Sequence, residues 1–490
     1  TLWPARLSPL YEYPVKLDIL HWPYLLSVVV FVVICLLAWR LRAARPGVGA
    51  AWLSYLMILA PVSGLIHAGP QLVADRYTYL ATMGLAVLAG GGLVHLWARL
   101  RGRTRRTCLV AAALSVAGLL GVMTRNQLHI WQNSAALWEH VHRLHPDSWH
   151  ANNNLGILRA REGRTQEAET LYGHAVRVKP DYANGYHNLA VLLDSVGRED
   201  EAIANFETAL QIDPAYPKAY ACLGNIYLKR GDLSTAAEMY RLGQQYAPDD
   251  PVILSNLGNV LTRLGTLEQA IPLLQRAIGI APDLLQAHYN LGLAWENAGR
   301  AEQALTEYRR CAELDPDHSP SAKSMGDLLV SLGRFHEAIE PLQRVARLNP
   351  SDVQTQTNLG YVMILASRYA AASRILAAAH QQDPNHLPTI LALANLQAAS
   401  PVDSVRDGPN AVRLATLACE RTNHANARAL DILAAAHAET KRFDLAVSAA
   451  REALQIARVA GDTRTADQIE ARLRLYLAST PYRLPARAEP

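Results

Sequence analysis

The sequence predicts an all-α chain: polytopic membrane helices, then a right-handed superhelical solenoid of stacked helical repeats. Three observations predict it. Eight prolines, Pro146, Pro180, Pro214, Pro248, Pro282, Pro316, Pro350 and Pro384, stand 34 residues apart without a slip. Ahead of them lie four runs free of Asp, Glu, Lys and Arg, at 19–39, 46–74, 77–98 and 107–124. Arginines crowd two of the three loops between those runs.

Aligned on the prolines, other columns fall into register. Leu-Gly or a near equivalent recurs at Leu155-Gly156, Leu189-Ala190, Leu223-Gly224, Leu257-Gly258, Leu291-Gly292, Met325-Gly326 and Leu359-Gly360. An alanine follows at a fixed distance (Ala168, Ala202, Ala236, Ala270, Ala304, Ala338, Ala372), then a large residue (Tyr172, Phe206, Tyr240, Leu274, Tyr308, Leu342, Leu376). This is the pattern of the tetratricopeptide repeat, a helix-turn-helix unit that buries its apolar face only by stacking on neighbours. Small residues let the two helices approach, the large one fills the gap to the next repeat, and the proline stops the second helix. An eighth repeat begins at Leu387, its turn replaced by the insertion 399–410. A ninth is readable in Leu433-Ala434, Ala446 and Ala453. A last amphipathic helix over 463–478, with Arg464, Asp467, Glu470, Arg472 and Arg474 on its polar side, closes the stack, and 484–490 is expected to fray.

Each of the four early runs can supply the roughly 20 apolar residues that span a bilayer core. Gly90, Gly91 and Gly92 lie within the third and fit close helix contact better than a phosphate cradle. Arg40, Arg42 and Arg45 follow the first run, and Arg99, Arg101, Arg103, Arg105 and Arg106 follow the third; the intervening loop holds only Arg76, beside Asp75. The positive-inside rule makes the arginine loops cytoplasmic and puts the repeats on the opposite side. The expected organisation is an extracytoplasmic segment (1–18), four membrane helices (19–124), a degenerate half-repeat (125–148) carrying Trp131 and Trp138, a solenoid of about nine repeats (149–460), and a closing helix and tail (461–490).

Residues 1–145 carry 13 Lys and Arg against 4 Asp and Glu; the remainder is net negative. Because the positive excess sits in short loops between apolar runs, a nucleic-acid surface is excluded. The five cysteines share no close spacing and read as isolated small hydrophobes. His140, His142, His145 and His150 cluster where the membrane part meets the repeats. A zinc site there would need a third ligand that no motif supplies, so a solvated joint is expected and no metal ligand is assigned. No nucleophile-base-acid arrangement emerges from the spacing, and no catalytic residue is assigned.

One repeat column carries candidate chemistry. Asn154, Asn188, Asn256, Asn290 and Asn358 precede the Leu of Leu-Gly, with Cys222 and Ser324 interrupting. A ladder of carboxamides on the concave face has the donors and acceptors to hold an extended peptide backbone. The competing reading is that Asn is simply common at that place in the repeat.

The hexapeptide Asp75-Arg76-Tyr77-Thr78-Tyr79-Leu80 resembles a signature of multi-spanning proteins with C-terminal tetratricopeptide repeats. That family includes the eukaryotic transmembrane-and-tetratricopeptide protein O-mannosyltransferases and bacterial relatives. The opening 2–11 and the run 125–150 resemble the corresponding segments; Ala81 stands where the family usually has Pro, and His67-Ala68 where bacterial members show Gln-Val. The resemblance implies an integral-membrane glycosyltransferase that takes a sugar from a polyprenyl-phosphate carrier, with a divalent metal as a further implied cofactor of the parent enzyme and none in this chain. Protein or peptide acceptors would lie in the solenoid groove, and membrane lipids would surround the early helices. The family's acidic catalytic pair lies in a first extracytoplasmic loop. Here the only acids before Glu139 are Glu12, Asp18 and Asp75, so the chain is expected to be the C-terminal part of such an enzyme and inactive alone. In that setting Asp75, Arg76 and Tyr77 are the candidates for the lipid-phosphate side, Arg76 suiting a bidentate grip on phosphate; the bland alternative is an interfacial ion pair. A membrane-anchored scaffold without chemistry is the alternative to the enzyme.

Overall fold

The computed structural model describes residues 22–41, 44, 47–48, 50–53, 78–100, 102–128, 130 and 132–485. Every regular element among them is helical. The chain divides into two compact units, Thr1–Ile226 and Tyr227–Pro490.

In the first unit, helices Trp22–Leu41, Thr78–Arg99 and Arg103–Leu128 fall on three of the four apolar runs. Of the second run only 47–48 and 50–53 are described, as short helical pieces. Among the described residues no helix is long and apolar enough to cross a membrane. Large apolar side chains of these helices are nonetheless bare: Val29, Val30, Phe31, Leu36, Leu37 and Trp39 are exposed, as are Val87, Val94, Leu114, Val116 and Val122.

The expected half-repeat is a helix over Ser134–Leu144. Asn133 caps it by accepting from the Ala136 N–H at 2.8 Å. Val141 is fully buried, and Glu139 pairs with Arg159 on the following helix, Trp149–Arg161. The join into the first full repeat is therefore packed rather than loosely tethered.

Antiparallel hairpins follow with the predicted period. In the first unit they are Trp149–Arg161 with Thr165–Val178, and Ala183–Ser195 with Glu199–Ile212. Helix Pro217–Lys229 spans the boundary between units. The second unit continues with Leu233–Tyr246, then Pro251–Arg263 with Leu267–Ile280, and Leu285–Asn297 with Ala301–Leu314. Ser319–Ser331 with Phe335–Leu348 and Val353–Leu365 with Tyr369–Gln382 complete the regular series. From Val178 to Gln382, each second helix stops two residues before its proline, as the missing N–H requires.

The Leu-Gly column explains the tight hairpin. A Cβ on Gly292 would lie 2.5 Å from Tyr308 Cε1, and one on Gly258 would lie 2.5 Å from Leu274 Cγ. The large residue therefore seats first on the glycine of its own repeat. It also reaches the next repeat, since Tyr172 clusters with Leu192 of the following hairpin.

The eighth and ninth repeats are present as Leu387–Ala399 with Gly408–Arg421, and Ala427–Glu439 with the longer Phe443–Val459. The insertion between the first pair contains a 3-10 turn over Asp403–Val405. Arg406 anchors it by donating to the Ser400 carbonyl at 3.0 Å and to Glu439 at 3.0 Å. The closing helix is Thr463–Leu477. Arg472, assigned to its polar side, instead turns inward and pairs with the buried Asp431. A buried carboxylate needs such a partner, and an arginine of the closing helix supplies it. At the start of the expected frayed tail, Leu484 donates to the Ala399 carbonyl at 2.7 Å, and Pro485 accepts from the Tyr369 hydroxyl at 2.8 Å.

Candidate functional site

Four successive first helices of the second unit, with Leu342 of the second helix Phe335–Leu348, line a cavity of about 440 Å³. Val330, Leu342, Val362, Leu391 and Ala392 form its apolar surface; Asp327, Gln354, Asn358, Tyr361 and Arg428 supply polar groups. The helix starts that place these groups are well defined. Asp352 accepts from the Gln354 and Thr355 N–H groups at 3.0 and 3.3 Å, and the side-chain bond from Thr355 leads the contacts holding its carboxyl below the usual range. Asn426 accepts from the Arg428 and Ala429 N–H groups at 3.0 and 3.1 Å, fixing where Arg428 leaves the backbone.

A polar relay crosses the wall between two repeats. Gln354 Nε2 donates to Asn358 Oδ1 at 2.7 Å, and His386 Nε2 lies 3.2 Å from Gln354 Oε1. His386 Nδ1 meets Thr389 Oγ1 at 2.7 Å, and Thr389 meets Thr357 Oγ1 at 2.6 Å. Each bond constrains the next, so the Gln354 amide is oriented from both sides. Asn358 itself is exposed, and among the described residues its Nδ2 has no acceptor.

Among the described residues neither charged group at the cavity is held in an ion pair, although Lys323 acts on Asp327 and Asp431 lies in the field of Arg428. Arg428 is exposed with its guanidinium 5.9 Å from the centre of the Tyr361 ring, and among the described residues no carboxylate lies within ion-pair distance of it. Asp327 likewise has no cation in that range; burial lifts its carboxyl above the usual value while Lys323 pulls it down. Elsewhere the opposite holds: Arg334 pairs with Glu302 and Glu337, each at 2.6 Å.

The five ladder asparagines occupy different settings. Asn290 is buried at 1% exposure; its Nδ2 donates to the Ser255 carbonyl and hydroxyl, and its Oδ1 accepts from Gln286. Asn188 donates to Asn153 Oδ1 of the preceding repeat at 2.8 Å, while Asn154 donates to the His150 carbonyl of its own helix at 2.8 Å. Asn256 is half-buried. Of the ladder, Asn358 alone lines the cavity. Asp75, Arg76 and Tyr77 lie outside the described residues. Among the described residues no group of three or more His, Cys, Asp or Glu is placed to hold a metal ion.

Sequence reasoning missed Asp327, Tyr361 and Arg428. The first two were within its reach, because they stand one helical turn after Ser324 and Asn358 in the same 34-residue frame and so share their face. Arg428 follows the insertion that breaks the frame, which hid it.

Comparison with known proteins supports the repeat. The TPR repeat profile matches residues 195–231 and 258–299, and tetratricopeptide-repeat profiles match 285–318 and 324–386. The chain is a tetratricopeptide-repeat protein. Protein O-mannosyl-transferase Tmtc1 of Drosophila melanogaster is 30% identical over 127 residues, which is 26% of this chain and 14% of that protein. The chain thus spans about a seventh of the curated relative it matches. Among solved structures, YrrB, described as a TPR protein with an unusual peptide-binding site, is 26% identical. That alignment covers 38% of this chain and 95% of YrrB at a TM-score of 0.32. The pilF protein of Pseudomonas aeruginosa is 21% identical, covering 42% of this chain and 94% of its own at 0.37.

Proposed function

We propose that the chain is the membrane-seated, acceptor-gathering part of a protein glycosyltransferase that draws its sugar from a polyprenyl-phosphate carrier. The repeats hold extended protein segments, and the early helices seat the chain in the bilayer with the repeats outside the cytoplasm. The observation that carries acceptor binding is the groove around Asn358. It combines an apolar surface with a carboxamide donor that has no acceptor and both signs of charge outside any ion pair among the described residues. Such a surface is costly to leave unused and suits an extended peptide. The bilayer reading is supported by exposed Val29, Phe31, Leu37 and Trp39, which a helix in water would cover. On the donor side, Arg76 would grip a lipid phosphate, with Asp75 orienting it and Tyr77 at headgroup level. The divalent metal of the parent enzyme has no ligands assigned in this chain.

A scaffold without chemistry is the second reading, favoured by one observation: tetratricopeptide-repeat profiles match 195–231, 258–299, 285–318 and 324–386, and a stack of such repeats can gather partner proteins without chemistry. Mass spectrometry of secreted proteins from cells lacking the gene separates the two. Loss of hexose from Ser or Thr supports the glycosyltransferase. Unchanged glycans together with lost recruitment of a partner protein establish the scaffold. The purified chain supplied with polyprenyl-phosphate mannose is expected to transfer nothing by itself.

A further inference from the structure

We infer that the Asn358 groove reads charge order along its ligand: it takes an extended peptide segment with an acidic side chain toward Arg428, an apolar side chain over Leu391 and Val362, and a basic side chain toward Asp327. This rests on the peptide-binding reading above and names the class of segment bound.

Arg428 belongs to the ninth repeat and Asp327 to the sixth, so the two charges, neither in an ion pair among the described residues, come from the last and the first of the helices that line one cavity. Arginines elsewhere in the second unit show what an available carboxylate does. Arg334 takes two carboxylates, Arg310 pairs with Asp283 and Glu313 at 2.9 Å each, and Arg472 pairs with Asp431. Arg428 has the ring of Tyr361 at the outer limit for a cation–π contact, and the charge of Asp431, which Arg428 feels through space, is held in an ion pair by Arg472. A ligand carboxylate would gain a charge-assisted bond without displacing an existing ion pair. At the other end Asp327 is exposed on the cavity wall, with Lys323 nearby as a counter-charge but no ion-pair partner among the described residues. An incoming ammonium or guanidinium would find this carboxylate open to a charge-assisted bond.

The middle of the groove sets the form of the ligand. Leu391 and Val362 are 8% and 4% exposed and can seat one apolar side chain. Asn358 Nδ2 points a donor into the same space, and Gln354, held by His386, keeps the carboxamide turned that way. A donor beside an apolar seat matches a backbone carbonyl next to a buried side chain, as in an extended strand whose residues alternate in direction. The cavity, about 440 Å³, lies within the roughly 300–1,000 Å³ of small-ligand sites.

Fluorescence anisotropy on the full chain provides the test. Three labelled peptides of equal length each carry one central leucine. One has aspartate before and lysine after it, one has the reverse order, and one has serine at both places. The expected result is that one charged order binds roughly tenfold or more tighter than the serine peptide. Arg428→Glu should abolish that preference. The double variant Asp327→Lys with Arg428→Glu should favour the opposite order. Both sites are exposed, and thermal melting of each variant should match the unaltered chain; Arg428→Ala, which should lose preference without reversing it, serves if either charge reversal melts early. Equal binding of all three peptides, or an unreversed preference in the double variant, overturns the charge-order inference and leaves the peptide groove standing. Absence of binding by any of the three overturns both.

Discussion

The carboxamide of Asn290 donates to the backbone carbonyl and the hydroxyl of Ser255, one repeat earlier, at 3.2 and 3.0 Å. One side chain thus ties two consecutive first helices together, and its oxygen is taken by Gln286 at 2.9 Å. With 1% exposure, Asn290 has nothing left to offer a ligand. Its counterpart Asn358, two repeats on, is exposed and faces the groove.

This divergence sets the first expectation. Asn290→Ala should cost about 1–3 kcal/mol, because Ser255 and Gln286 lose their partner inside the stack. Asn358→Ala should stay within about 0.5 kcal/mol and act on peptide affinity instead. Urea unfolding and peptide anisotropy on both variants check this. A small stability loss at Asn290 would mean water replaces the bond to Ser255.

The turn column gives the second. Gly163, Gly197, Gly231, Gly265, Gly299 and Gly333 all have φ between 71° and 80°, and Ser367 occupies the same place at φ 61°. A side chain in the left-handed region is strained by roughly 1–2 kcal/mol. Ser367→Gly should therefore raise stability, by about 0.5–1 kcal/mol after the added freedom of the unfolded chain is counted. An unchanged or lowered melting temperature would show that the Ser367 turn is not strained.

The repeat and its boundaries were legible because they rest on periodicity: the prolines end helices where the 34-residue frame puts them, and Ala446 and Ala453 of the ninth repeat are fully buried. What could not be read was which member of a column faces water. Asn290 and Asn358 hold equivalent places, yet one is buried and the other exposed. The difference comes from neighbours in other columns, such as Ser255 beneath Asn290, and from packing that no single column encodes. Arg472 shows the same limit: its place on the closing helix is polar by pattern, but the buried charge of Asp431, 41 residues away, draws it inward.

His288 gives a pH dependence. Its Nδ1 lies 2.7 Å from Glu307 Oε2 and its Nε2 lies 2.9 Å from the Pro282 carbonyl. Both partners are acceptors, so the ring satisfies them together only when it carries both protons. The Glu307 bond raises its pKa above the ordinary value, with the Pro282 carbonyl adding to it, against burial and Arg310. A raised folded-state pKa means the folded chain binds the proton more tightly than the unfolded chain. The stabilisation is then complete below the unfolded value, about 6.5, and is lost as pH rises through the folded value. The melting-temperature gap between the native chain and His288→Gln should be largest near pH 5.5 and shrink toward pH 8.5, both as rough limits of that window. A gap that is constant across this span would show that the ring is neutral in the folded state.

Topology gives the last expectation. Arg40, Arg42 and Arg45, then Arg99, Arg101, Arg103, Arg105 and Arg106, follow the first and third apolar runs, while the loop between them holds one arginine beside one aspartate. Short arginine-rich loops resist translocation, so an even number of crossings after the N-terminus would return the chain to the side where it began, outside the cytoplasm. A reporter that is active only in the cytoplasm should be silent when fused after Gly156 and active when fused after Gly102. The second fusion guards against a reporter that simply fails to fold. Activity after Gly156 with silence after Gly102 would invert the topology. It would also remove the extracytoplasmic acceptor from the proposed reaction, leaving the scaffold reading to account for the repeats. Activity at both sites would mean that the apolar runs do not insert, and the bare valines and leucines of Trp22–Leu41 would then need a protein partner rather than lipid.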